Sequence, residues 1–123
     1  MPGITSYFDE GLATYLGGSG KMTYMDYLKK LRENLNGYDF LEVFRKDIFD
    51  RDLWTADMPI TYVLAAVICD YGINKLGKDR FFDLLNERRD KHAIINELGI
   101  YEVGLDRTLK EFVGKKQGFS IPQ

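Results

Sequence analysis

The sequence predicts an all-α fold: an irregular bundle of five to seven helices around one central apolar helix. Three observations carry that expectation. Apolar residues recur at helical spacing in one segment after another. The segment Ile60 to Leu76 is apolar nearly all round, as a core helix is. No alternating strand pattern, internal repeat or low-complexity linker interrupts the series.

A chain of 123 residues suffices for one core and is short for two. Residues 1–116 are expected to form a single helical domain and 117–123 a flexible tail. With 45% apolar and 29% charged residues, the chain has the balance of a folded protein rather than a disordered one. Its formal net charge is −2 and its basic residues are interspersed with acidic ones, so it carries no nucleic-acid footprint. No stretch is long enough to span a membrane. Cys69 is the single cysteine and lies in an apolar run, which favours a buried structural thiol over a nucleophile.

Taken in order, the first helix lies in the stretch Ser6 to Gly18, with Ser6 as N-cap and Gly17-Gly18 ending it. Phe8, Leu12, Tyr15 and Leu16 share one face, and Glu10 lies off its centre between the small residues Gly11 and Ala13. After a glycine-rich turn, Met22 to Asn36 repeats apolar positions at Tyr24, Leu28, Leu31 and Leu35. Thr23 and Asp26 there form a start resembling a capping box. A short helix over Asp39 to Lys46 follows, with Phe40, Leu41, Val43 and Phe44 inward.

Residues Asp47 to Pro59 have no clean period and are expected to be a packed loop. Their four aspartates lack the order of a calcium loop and are expected to be solvated. Trp54 either anchors this loop to the core or lines a groove. Pro59 suits the first turn of the central helix and Gly77 stops it. Gly72 in its interior weakens it by about 1 kcal/mol relative to alanine, which leaves room for a kink or a break there. Helices over Arg80 to Lys91, His92 to Gly99 and Tyr101 to Lys115 complete the set, the last with a stripe of Leu105, Leu109, Phe112 and Val113.

Two stretches resemble a known family. Phe8-Asp9-Glu10-Gly11-Leu12-Ala13-Thr14-Tyr15 is similar to the W-L-N-E-G-x-A-x-Y segment of the gluzincin metallopeptidases, the aminopeptidase N-like zinc enzymes of peptidase clan MA. The resemblance implies that Glu10 is the third zinc ligand, after two histidines from an H-E-x-x-H helix roughly twenty residues upstream. Asp9 stands where the aminopeptidases have Asn, and no H-E-x-x-H occurs among these residues. Thr61 to Gly72 and the following Lys75 to Leu85 resemble the family segment that opens on Y-x-K-G and runs through a long apolar helix. Tyr62 then matches the tyrosine whose hydroxyl donates to the tetrahedral oxyanion, with Ala65 in place of the family's Gly. Gly104 to Val113 fits the last helix of the family in type.

A catalytic zinc requires three protein ligands and an open position. Glu10 offers one ligand, and His92, the single histidine, is expected to be an exposed or capping residue rather than another. Two functional expectations stand side by side. In the first, the chain is the C-terminal helical portion of a zinc metallopeptidase, inactive alone, whose zinc belongs to an intact parent with an N-terminal H-E-x-x-H segment as partner. In the second it is a non-enzymatic helical interaction module, Glu10 is paired with a Lys or Arg, and Tyr62 is a core residue. Without an H-E-x-x-H helix beside it, the face around Phe8, Leu12 and Tyr15 would be uncovered, so self-association through the Glu10 helix is also expected.

Overall fold

The fold is built on the helix the sequence makes most apolar. The structure, a computed structural model, describes residues 6–87 and 90–116. Seven α-helices run through them: α1 (Ser6–Gly17), α2 (Tyr24–Glu33), α3 (Phe40–Arg45), α4 (Ile60–Leu76), α5 (Lys78–Glu87), α6 (Lys91–Glu97) and α7 (Tyr101–Lys115). A single 3₁₀ turn, Leu35–Gly37, follows α2. The described residues contain no strand, only two isolated bridges, Ser19 with Met22 and Thr55 with Met58. No helix among them is long and apolar enough to cross a membrane.

Helix α4 is the axis because it offers no polar face to water: every residue from Val63 to Asp70 is buried. Helices α1, α2, α3, α5 and α7 all pack against it, α1 most extensively. No break occurs at Gly72, and α4 runs continuously to Gly77, whose φ of 88° ends it. Gly72 serves packing instead. A β-carbon there would lie 2.3 Å from a ring carbon of Phe81, so the absent side chain is the seat of the one fully buried aromatic of α5.

Local chemistry sets the other boundaries. Thr23 caps α2 through a complete capping box, its hydroxyl accepting from the Asp26 N–H and the Asp26 carboxylate accepting from the Thr23 N–H at 3.0 Å. Asp39 and Asp90 cap α3 and α6 with their side chains. Helix α2 is shorter than its apolar repeat suggests, because Asn34 leaves helical geometry and Leu35 falls in the 3₁₀ turn. Pro59 flanks α4 as its N-cap rather than lying within the first turn. Helix α5 starts at Lys78, directly after Gly77, and ends at Glu87, and α6 starts at Lys91 with Asp90 as its N-cap. Helix α7 has the expected bounds. The predicted tail, 117–123, lies outside the described residues.

The face of α1 differs from the expected one. The buried positions are Tyr7, Phe8, Gly11 and Thr14, while Leu12 and Tyr15 are half-buried and Leu16 is 75% exposed. The contact line runs through Gly11, which lets the backbone of α1 approach α4 more closely than a leucine stripe would. A β-carbon at Gly11 would lie 2.8 Å from the Ala65 β-carbon and 2.9 Å from the Ala65 carbonyl carbon and oxygen. Phe8 is therefore covered by its own chain, and only Leu16 of the expected apolar face stays largely in solvent. Ser6 is the first residue of α1, inside the helix rather than before it as its N-cap.

One buried and one half-buried polar site tie the helices together. Asp70, wholly buried on α4, accepts from the Tyr24 hydroxyl at 2.7 Å, the Asn74 amide at 2.8 Å and the Lys116 ammonium at 2.9 Å, tying α2 and the end of α7 to the axis. The Lys91 ammonium donates to the carbonyls of Phe44 and Lys46, which end α3, and lies over the rings of Tyr7 and Phe44. Burial pulls the Lys91 pKa below its ordinary value, against the opposing pull of Asp47, Asp90 and Glu102.

Candidate functional site

The close approach of Gly11 to Ala65 decides what lies next to what. Glu10 precedes Gly11 on α1, and Tyr62 lies one turn before Ala65 on α4. Both side chains are half-buried. The structure brings them within electrostatic reach of each other: burial first, then the charge of Glu10, raise the Tyr62 phenol above its ordinary range, while Arg51 pulls it down. At neutral pH Tyr62 is therefore an un-ionised hydroxyl with a proton to donate. Glu10 makes no ion pair or side-chain hydrogen bond among the described residues.

An aromatic wall surrounds Tyr62. Trp54 meets it edge to face with ring centroids 5.2 Å apart, and Phe49, itself 54% exposed, does so at 6.3 Å. The Arg51 guanidinium stacks over Trp54 at 5.1 Å. The loop that carries these residues is fastened to α4 by a relay. The Trp54 indole N–H donates to the Thr61 hydroxyl at 2.9 Å, which donates to the Ile48 carbonyl at 2.6 Å. Trp54 is thus an anchor whose polar edge is spent on the fold and whose ring flanks Tyr62. Tyr62 is a protonated phenol within electrostatic reach of one carboxylate, Glu10, and one guanidinium, Arg51, with two further aromatic rings, Trp54 and Phe49, edge to face on it.

Sequence reasoning named Glu10 and Tyr62 and left open the role of Trp54. It missed Phe49, Arg51 and Thr61, because a loop without a period gives no clue to which of its side chains fold back. The one available signal was the Thr61-Tyr62 pair itself, a hydroxyl next to the candidate phenol at the start of the core helix.

The donor set decides the metal question for these residues. Among the described residues no group of three His, Cys, Asp or Glu could hold an ion. His92 is half-buried, with Nε2 2.6 Å from a Glu102 oxygen and Nδ1 3.4 Å from Asp90, and its ring packs edge to face on Phe44. It is engaged on α6 and α7, apart from Glu10. A zinc site of the gluzincin kind requires three ligands, and on their own the described residues do not fit the metal. Cys69 is no substitute, being buried in α4 with a thiol pushed far up by burial and then by Asp70. No protein-family model, curated protein or solved structure matches this chain.

Proposed function

We propose that this chain is the helical C-terminal portion of a gluzincin-type zinc metallopeptidase, contributing Glu10 as third metal ligand and Tyr62 as transition-state hydrogen-bond donor. The histidine pair and general base would come from a segment beyond these 123 residues, and the chain by itself is inactive. The observation that supports this reading is the Glu10 and Tyr62 juxtaposition. Two residues singled out by separate stretches of sequence stand within electrostatic reach of each other, both half-buried, with the carboxylate uncommitted to any ion pair among the described residues and the phenol kept protonated. A hydroxyl so placed is a donor for a developing oxyanion, a contact worth about 3 kcal/mol in hydrolases. No catalytic step is assigned to the chain in isolation.

The test uses the natural protein expressed from its full reading frame. Zinc measured by atomic emission is expected at one equivalent and to fall sharply in Glu10→Gln. Tyr62→Phe is expected to retain zinc and lose roughly 10²-fold in kcat on peptide substrates. A natural protein without zinc, or a Glu10→Gln variant that keeps all of it, would overturn the reading.

A second reading, a non-enzymatic helical interaction module, draws support from the exposed Phe49 beside Trp54 and Tyr62, and from Leu16 at the end of α1. On that reading the aromatic surface is a docking face for a partner or for another copy of the chain, and Tyr62→Phe has no effect on any hydrolysis.

A further inference from the structure

The other end of α1 holds a second feature, independent of Glu10 and Tyr62. Where α1 stops and α2 begins, a cavity of about 620 Å³ opens between Tyr15, Leu16, Tyr24, Met25, Asp70 and Lys116. Its walls are apolar or aromatic, with the Tyr15 and Tyr24 rings edge to face at 5.1 Å. Its polar floor is the Asp70 carboxylate, which is wholly buried. Tyr24 and Asn74 reach that carboxylate as neutral donors from α2 and α4, so among the described residues the only cation on it is Lys116.

Lys116 differs from the other two partners in how it is held. It is the C-cap of α7, its N–H bonded to the Val113 carbonyl at 3.2 Å and its carbonyl accepting from Arg32 at 3.3 Å, while its side chain lies over the Phe112 ring at 5.4 Å and keeps 21% of its surface in water. A lysine on a helix end can swing its four-carbon stem into solvent without disturbing the core. The carboxylate it leaves cannot do the same, and a buried unpaired charge demands another cation. A second ammonium arriving with an apolar body would meet that demand at no change in local charge, while covering Tyr15, Leu16 and Met25.

We propose that this cavity is a binding site for small primary amines with an aromatic or apolar body, the ligand's ammonium taking on Asp70 the place of Lys116. Lys116 is then a built-in competitor, and its departure is the step that opens the site. Apparent affinity is lowered by the fraction of molecules in which Lys116 occupies Asp70, so removing the lysine strengthens binding.

The test titrates the full chain with 2-phenylethylamine at pH 7, followed by ¹⁵N–¹H NMR, alongside its N-acetyl derivative and 3-phenylpropionate. The amine is expected to shift the amides of Tyr24, Asp70 and Lys116, and the neutral and anionic analogues to leave them in place. Lys116→Met, which keeps the stem and drops the charge, is expected to bind the amine about tenfold more tightly. Asp70→Asn, which keeps the partners of Tyr24 and Asn74, is expected to lose binding. Equal binding of amine and amide would reduce the cavity to an apolar cleft, and preference for the carboxylate would make Lys116 the receptor. Either result overturns the proposal, as does a folded Lys116→Met without a gain. Should that variant not fold, the amine and amide comparison on the unmodified chain decides. Glu10→Gln is expected to bind the amine as the unmodified chain does, so the outcome does not depend on the metallopeptidase reading.

Discussion

Two tyrosines on neighbouring helices show how differently one hydroxyl can weigh. The Tyr7 oxygen is buried with no hydrogen-bond partner among the described residues, whereas Tyr24 spends its proton on the buried Asp70. Stranding a buried polar atom costs about 1–3 kcal/mol, and a hydrogen bond to a charged group is worth about 1.5–3 kcal/mol. Tyr7→Phe is therefore expected to leave the urea midpoint unchanged or raise it, and Tyr24→Phe to lower stability by about 2 kcal/mol. Equal losses in both would contradict this account of the core. Such distinctions are invisible in sequence, where both residues are aromatic positions on helices. What separates them is the Asp70, Asn74 and Lys116 cluster, which unites residues from the middle of one helix and the end of another.

At the level of helices, the α1 and α4 contact is the one that places the candidate site. Helical spacing located α1 and its end correctly, but it assigned the inner face to Phe8, Leu12, Tyr15 and Leu16, of which Phe8 alone is buried, the rest of the buried face being Tyr7, Gly11 and Thr14. Counting apolar side chains favours leucines. Close backbone approach favours a glycine, and here the second effect wins because Ala65 on the facing helix is small as well. Gly11→Val would push a branched side chain onto the Ala65 backbone and is expected to cost about 2 kcal/mol or more. Since two of the three nearest atoms belong to the backbone, adding Ala65→Gly should recover only part of that loss. Chemical denaturation of the single and double variants checks this, and full recovery would show the contact to be side chain against side chain. The capping box of α2, the loop of Asp47 to Pro59 and the bounds of α7 were all legible, because each is fixed by neighbours in sequence. The aromatic wall was not, since Phe49, Arg51 and Trp54 are positioned by the tertiary relay through Thr61.

For the molecule as a whole, the buried titratable groups set how stability responds to alkali. Burial raises the phenols of Tyr7 and Tyr24 and the thiol of Cys69, with Cys69 adding at Tyr7, and Asp70 adding at Tyr24 and Cys69. In the unfolded chain a thiol ionises near 8.5 and a phenol near 10. Above those values the native state holds protons that the unfolded state has lost, so the stability present in full below about pH 8.5 falls as pH rises. Lys91, whose pKa is lowered, acts the other way just below its unfolded value near 10.4, but it is one group against three. Urea midpoints measured from pH 7 to 11 are expected to decline beyond about pH 8.5, with Tyr24 ionising only as the chain unfolds; a flat profile would contradict it. The all-α class and the central place of Ile60–Leu76 were readable because a helix apolar on every side has no stable position except an interior.

The pairing of α1 with α4 also bears on how the protein is made. During synthesis α1 leaves the ribosome well before α4, and until then Tyr7 and Phe8 have no long apolar helix to lie against. The first helix must wait for the fourth, so the nascent chain carries an unsatisfied aromatic pair until Ile60–Leu76 has emerged. That interval is where a holding chaperone would have something to grip.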